Sequence, residues 1–554
     1  MIREILQQEI EKAVEKLYGK KIDFNVSADG VHADYSSNAA MVIGGNSRKV
    51  AEEIKNELLS FSPPKAGPRL TDGQAPLAEK IEIAGPGFLN FWLSEDGLSK
   101  ELANISGSGY LLNWKKEKRE KISLDYLDVN PTGPIHLGNA RSGFYGDVLS
   151  NILEFYGYKI SREFYVNNAK SSGQIQSLGK TALGQGDEYK HEQLLNILKK
   201  PEVKNKLKTF KDVKEAGFYI AGLIQKENEK FLKSAAKIKF DLFFEEEKIY
   251  SSGMIKKILE MLKKANAIYE KDGAVWLKSS KLGDSEDRVL IRKTGEPTYL
   301  LPDIGYHLDR LVSRKYNKAI NIFGADHYGY GPRLKAALKI IGIDPKGVEI
   351  LIYQMIRLIR QGQEVKMSKR KGEFVSLEEL IDEVGLDATR FFFLMRSLDT
   401  HMDFDLDLAK EQSKKNPVYY VQYAHARACS ILRKAGPSEK KSDFSSIGLA
   451  VGSLSENKIK AREEKSDFFS RNLILKLIQF PEIIEEIAKD YQVHRLTTYV
   501  YELAKVFTDF YENVRVLKAE SEELKKFRLA LVSITKNILE KSLSLMGIFA
   551  PDKM

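Results

Sequence analysis

The apolar run "ISLDYLDV", Ile122 to Val129, passes directly into "NPTGPIHLGNARSG", Asn130 to Gly143. Apolar residues then recur at helical spacing, Phe144, Val148, Leu149, Ile152 and Leu153, until Gly157 offers a stop. A buried strand, a turn rich in proline and glycine, and a helix with a glycine C-cap make the first half of a βαβ unit. Strand and helix patterns keep alternating to about Gly385. Such alternation leaves little choice but a parallel sheet covered by crossover helices. The turn then sits at the carboxyl edge of that sheet, where ligands bind.

The turn has the chemistry of an anion site. Amides at a helix start point outward, unpaired and partly positive. Gly138 lets a nucleotide approach the backbone, while His136 and Asn139 can both donate to phosphate oxygens from the first helical turn. A capped βα turn with an incidental histidine is the plainer alternative. A second segment weighs against it: "QEVKMSKRKG", Gln363 to Gly372, gathers Lys366, Lys369, Arg370 and Lys371 around Met367 and Ser368. Cations so crowded call for a polyanion.

A chain of 554 residues exceeds one core and divides into domains. No apolar run of membrane-spanning length occurs, and the N-terminal segment, rich in glutamate, reads as a structural helix rather than a leader. The single cysteine, Cys429, excludes an internal disulfide and a zinc site built on thiolates, and fits a reducing cytoplasm. The net charge of +10 suits a polyanionic partner without demanding one. Short strands and helices fill residues 1 to about 110, ending in the hairpin "KIEIAGPGFLNFWLS", and a charged linker spans Asn113 to Lys121. A lysine-rich helical stretch with the hairpin "AIYEKDGAVWLKSS" interrupts the α/β region from about 170 to 290 and reads as an insertion. Long helices follow Gly385, with loops expected from Ser438 to Ser470.

His136-Leu137-Gly138-Asn139 and Lys366-Met367-Ser368-Lys369-Arg370 resemble the HIGH and KMSKS signatures of the class I aminoacyl-tRNA synthetases, with Asn139 in place of the second histidine and Arg370 in place of the last serine. "NPTGPIHLGNARSGFYGDVLSNIL", "YGYKISREFYVNNA", "DYSSNAAMVI" and "NPVYYVQYAHARACSIL", with the ending "RLALVSITKNILEKSLSLMGIFAPDKM", narrow the resemblance to the arginyl-tRNA synthetases. It implies a multidomain α/β protein: an α+β N-terminal tRNA-binding domain over 1–112, a Rossmann-like parallel-sheet catalytic domain over 113–385, and an all-α anticodon-binding domain over 386–554. The implied enzyme joins arginine to tRNA(Arg) at the expense of ATP, works as a cytoplasmic monomer, takes Mg²⁺ with ATP, and keeps no tightly bound cofactor or metal of its own.

An arginine pocket must pair a guanidinium with carboxylates, and Asp125 and Asp303 are the candidates, with Tyr299 one helical turn before Asp303. By resemblance, Asp125, Asn130, Tyr299 and Asp303 fall at arginine-binding positions, and Asp326 or His327 contacts arginine or the ribose. Gly138, His136, Asn139, Lys366, Met367, Ser368 and Lys369 fall at ATP-binding positions. His136, Asn139, Lys366 and Lys369 carry the catalysis, as no covalent nucleophile is evident. Asn416, Tyr420 and Tyr423 stand at helical offsets suited to stacking and holding tRNA. The resemblance adds Tyr511, Arg515 and Met554 on the anticodon side, and Asn90 at the outer corner of the tRNA.

Overall fold

The computed structural model describes residues 1–30, 32–60, 77–106, 120–282, 284–364, 376–436 and 464–554. The basic segment with Lys366, Met367, Ser368 and Lys369, and most of the expected linker, lie outside the described residues.

Strands β1 (Val26–Ala28), β2 (Tyr35–Ser37), β3 (Ala78–Ala84) and β4 (Phe88–Leu93) form an antiparallel sheet in the order β1-β2-β4-β3. The helix Ile2–Tyr18 packs with this sheet, burying Ile2, Leu6, Ile10 and Val14 at three- and four-residue spacing. The expected β3–β4 hairpin is present. Its turn needs glycine at Gly87, where φ is 128° and a Cβ would lie 2.8 Å from the Ser47 carbonyl oxygen.

The central sheet begins with β5 (Lys121–Asp125), β6 (Lys159–Val166) and β7 (Leu242–Glu245). A small antiparallel sheet of β8 (Ile268–Lys271), β9 (Ala274–Leu277) and β10 (Arg288–Ile291) comes next. Strands β11 (Lys318–Gly324) and β12 (Val348–Tyr353) then complete the central sheet, which is parallel throughout in the order β12-β11-β5-β6-β7. The chain leaves β5 toward β6 and β7 on one side and returns on the other. That reversal opens a crevice at the carboxyl ends of β5 and β11.

Three expectations are corrected. Strand β7 falls inside the stretch read as an insertion, yet it pairs with β6 from Glu163↔Leu242 to Val166↔Glu245. Four residues at a sheet edge carry too little periodicity to stand out among lysine-rich helices. Beyond Gly385 the chain is not purely helical. Strands β13 (Ile356–Arg360) and β14 (Gln363–Glu364) pair antiparallel, and β15 (Met402–Asp405) runs parallel to β13. The expected loop from Ser438 to Ser470 is helical from Glu464, where the helix Glu464–Ile478 begins.

The helix Leu137–Tyr156, which begins at the signature turn, is buried nearly all round, because the C-terminal helices cover the side turned away from the sheet. Among the described residues no helix is long and apolar enough to cross a membrane. Arg390 ties these parts together. It is fully buried and donates to Asp147 Oδ2 (2.9 Å) and to the carbonyls of Met546 (3.1 Å), Ala236 (3.0 Å) and Lys237 (2.6 Å). Arg390→Leu should cost about 3–5 kcal/mol in urea unfolding, because it leaves the Asp147 carboxylate buried without its cation. Adding Asp147→Leu should recover part of that loss, and a single-variant cost within about 0.5 kcal/mol of zero would show that the clamp is not structural.

Candidate active site

Asp125 ends β5 and is 2% exposed. Beyond it the backbone turns sharply, with Leu127 and Asp128 at φ of 81° and 30°. Such left-handed conformations cost non-glycine residues of order 1 kcal/mol each and gather at functional sites. Asp303 stands in the first turn of the helix Leu300–Leu308, and Tyr299 is that helix's N-cap, as the sequence spacing requires. Gly324 ends β11 and leads into Asp326 and His327. These elements enclose one cavity of about 470 Å³, lined by Asp125, Asn130, Tyr299, Asp303 and His327 and also by Asn139 of the signature turn. All five sequence-derived arginine candidates therefore face one space, beside one of the two candidate phosphate donors.

The cavity is acidic beyond the two carboxylates anticipated. Asp128 and Glu246 line it as well. Burial pushes Asp125 up to about 6, opposed by Arg310 and reinforced by Glu163. Asp303 is pushed up to about 7, by burial and against a hydrogen bond from the Tyr330 hydroxyl. Glu246 is also pushed up to about 7, by burial and by Asp303. Asp128 is raised well above the carboxylate range by burial and by Asp125. The nearby cations are committed elsewhere. Arg310 donates to Ser123, Asn321 and the Ile320 carbonyl, and Arg314 grips Glu163 with two parallel bonds of 2.6 and 2.9 Å. Asp125 Oδ1 and the Tyr165 hydroxyl are buried in this lining with no hydrogen-bond partner. Unpaired buried acceptors around a narrow space match a cationic, many-donor ligand such as guanidinium.

At the signature turn, His136 is the N-cap of the 20-residue helix Leu137–Tyr156. Burial, and secondarily His191, push its pKa below the ordinary histidine value. Gly138 is exposed, and a Cβ there would meet nothing within 4 Å, which leaves its backbone open to a ligand. Ser376, the first residue described after the basic segment, bridges antiparallel to His136, and the Leu377 amide donates to the Ile135 carbonyl (3.0 Å). Ser376 and Leu377 thus lie directly beside the turn.

Sequence reasoning missed what holds this turn. His191 Nε2 lies 2.7 Å from the Thr132 carbonyl while its Nδ1 accepts from the Leu194 amide, which sets the tautomer. Asn228 Nδ2 donates to the Gly133 carbonyl (2.9 Å). His191 is the N-cap of the helix Glu192–Lys199 and Asn228 lies in the helix Val213–Ser234, both between β6 and β7, and no periodicity announces them. Glu246 had a discoverable signal, since it directly follows β7 at the sheet's carboxyl edge.

On the helical side, Arg427 lies over Tyr511 (4.7 Å) and Tyr423 (5.3 Å), and half-buried Tyr420 packs on Tyr501. Arg515 and Met554 are exposed. Asn416 corrects an expectation. It is buried, its Oδ1 accepts from the Val418 amide and its Nδ2 donates to the Ala409 carbonyl, so the side chain caps a helix instead of facing a base. Asn90, the weaker candidate, is likewise buried, accepting from the Ser36 hydroxyl (2.8 Å).

A parallel sheet whose crevice holds the histidine turn, and which matches the family described as tRNA synthetases class I (R), catalytic domain, over residues 101–393, defines a class I aminoacyl-tRNA synthetase. Residues 1–93 match the arginyl tRNA synthetase N terminal domain, and residues 421–554 the DALR anticodon binding domain. The chain is 39% identical to the arginine–tRNA ligase of Bacillus licheniformis over 100% of its own length and 99% of that protein's, and 37% identical to that of Bacillus subtilis over the same shares. Its fold resembles Thermus thermophilus arginyl-tRNA synthetase with a TM-score of 0.75, at 22% identity and over 100% of both chains. The chain belongs to the arginyl-tRNA synthetases.

Two predictions follow from this geometry. Carboxyl pKa values raised in the folded protein mean that, without arginine, these groups favour the fold at low pH and lose that contribution as pH rises through about 6 to 7. Guanidinium binding needs the ionised forms, so calorimetry should show arginine affinity constant above about pH 8 and falling at least roughly tenfold per unit below about pH 6. A flat profile would contradict the acidic slot. Second, His191→Ala should slow arginine-dependent ATP–pyrophosphate exchange by roughly tenfold or more while arginine Kd stays within about twofold. An unchanged exchange rate would remove His191 from the positioning of the turn.

Proposed function

We propose that arginine's guanidinium is gripped by Asp125 and Asp303, with Asn130, Tyr299 and His327 completing its pocket and Asp128 and Glu246 adding negative charge. ATP, as its magnesium complex, lies along the signature turn, with Gly138 under the nucleotide and His136 and Asn139 on the phosphates. Lys366, Met367, Ser368 and Lys369 close over the triphosphate. The arginine carboxylate attacks the α-phosphorus and pyrophosphate leaves, giving arginyl-adenylate. The 2′-hydroxyl of the tRNA's terminal adenosine then attacks the adenylate carbonyl, releasing AMP.

No covalent nucleophile is needed, so the rate comes from positioning and charge stabilisation. The Asn139 amide donates a hydrogen bond without a full charge, as a neutral histidine would at that position. This accounts for an asparagine at the signature's fourth position. Lys366 and Lys369 neutralise the departing pyrophosphate. Tyr420, Tyr423, Tyr511, Arg515 and Met554 face the anticodon of tRNA(Arg). The enzyme acts as a cytoplasmic monomer. The observation that carries this reading is the shared cavity in which buried acids stand beside Asn139 at the carboxyl ends of β5 and β11.

Pyrophosphate exchange measured across the amino acids, with and without tRNA, tests it. Arginine alone should support exchange, and activity with another amino acid or none would reject the reading. Lys369→Ala should lower the exchange rate roughly a hundred- to a thousandfold with arginine affinity near normal, and an unaltered rate would remove Lys369 from catalysis.

A further inference from the structure

Tyr330 opens the helix Tyr330–Ile340, which follows the carboxyl end of β11, and it is buried. Its ring meets Phe323 and His327 edge-on, with centroids 6.0 and 5.7 Å apart, and the Arg333 guanidinium lies 5.7 Å from its centre. Held in this way, the hydroxyl reaches across to the helix Leu300–Leu308 and donates to Asp303 Oδ2. Asp303 Oδ1 accepts from no described residue, and Asp303 lines the acidic cavity. The backbone beneath it is fixed as well. The Asp303 amide donates to the Tyr299 carbonyl (3.2 Å), and its carbonyl accepts from His307 Nδ1 (2.8 Å).

A carboxylate can offer both oxygens to a guanidinium or keep one for the protein. We propose that Tyr330 is a positioning residue of the arginine site: its hydroxyl holds Asp303 Oδ2, which leaves Oδ1 as the oxygen presented to the guanidinium. The role rests on the grip of arginine by Asp125 and Asp303. The same bond acts on charge. A phenol that donates to a carboxylate favours its ionised form, the form guanidinium binding needs. Burial pushes Asp303 up to about 7, and the Tyr330 bond opposes that rise. Three further acids, Asp125, Asp128 and Glu246, share the cavity with Asp303. Tyr165 and Tyr250 face it as phenols that burial keeps neutral, and burial pushes His307 down to about 3. His327 and Arg333 stand against the Tyr330 ring. Removing one hydroxyl leaves all of these groups in place, so their titration is common to the protein with and without it.

Tyr330→Phe keeps the ring and removes only the hydroxyl. Calorimetry of arginine binding to the full chain, wild type and variant, gives a ratio of Kd values in which titration of the ligand cancels. The variant's Asp303 should ionise roughly one pH unit higher, making the ratio about tenfold at about pH 6 and within about twofold of one by about pH 9. At that higher pH and saturating arginine, pyrophosphate exchange should run within about twofold of wild type, which places the loss in KM. A bond that only supports the fold would weaken binding by one factor at every pH. Such a constant ratio, or a ratio of one throughout, would overturn the proposal. Asp303→Asn separates it from the reading beneath it. If that variant binds arginine like wild type, the carboxylate grip falls and the role of Tyr330 falls with it. If it loses at least about tenfold while the Tyr330→Phe ratio stays flat with pH, the grip stands and the positioning role alone is rejected.

Discussion

Burying carboxylates without cations to pair them is among the costliest arrangements a fold can keep, and the crevice of this sheet keeps several at once. Asp125, Asp128, Glu246 and Asp303 arrive from separate elements and line one cavity, while the arginines nearest them are spent on Ser123, Asn321 and Glu163. The cost shows as raised carboxyl pKa values. A planar ligand with several donors and a fixed positive charge relieves it, whereas a point charge such as lysine's ammonium satisfies fewer acceptors.

The helix that carries His136 and Asn139 is held by polar anchors on every side. Arg141 donates to the carbonyls of Gln354, Ser397 and Thr400. Tyr145 donates to the Tyr491 carbonyl and accepts from the Val493 amide, at the corner between two C-terminal helices. Asp147 holds Arg390. With His191 and Asn228 fixing the preceding turn, His136 and Asn139 stand on a scaffold that reaches both the sheet and the helical region. Catalysis by positioning depends on such rigidity, because small displacements of a donor cost large factors in rate.

Much of this was legible in the sequence where local rules apply. The strand, turn and helix from Ile122 to Gly157 follow from hydrophobic period and glycine placement, and Asp125 and Asp303, singled out for their charge, line one cavity. Tyr299 was placed correctly because helical spacing alone puts it a turn before Asp303. Residues joined by distant pairings were hidden. His191 meets Thr132 and Asn228 meets Gly133 across long stretches of chain, and neither pairing leaves a periodic trace. Glu246 was lost with β7, an edge strand too short to read. Asn416 was misjudged because an N-cap and an exposed base-reading asparagine look alike until burial is known.

L-Citrulline has nearly the shape of arginine but no charge, and its Kd relative to L-arginine, measured by calorimetry at about pH 8, isolates the central interaction. A slot held by unpaired buried carboxylates should bind arginine tighter by about 3–5 kcal/mol, which is at least a hundredfold in Kd. Equal affinities for the two ligands would contradict it.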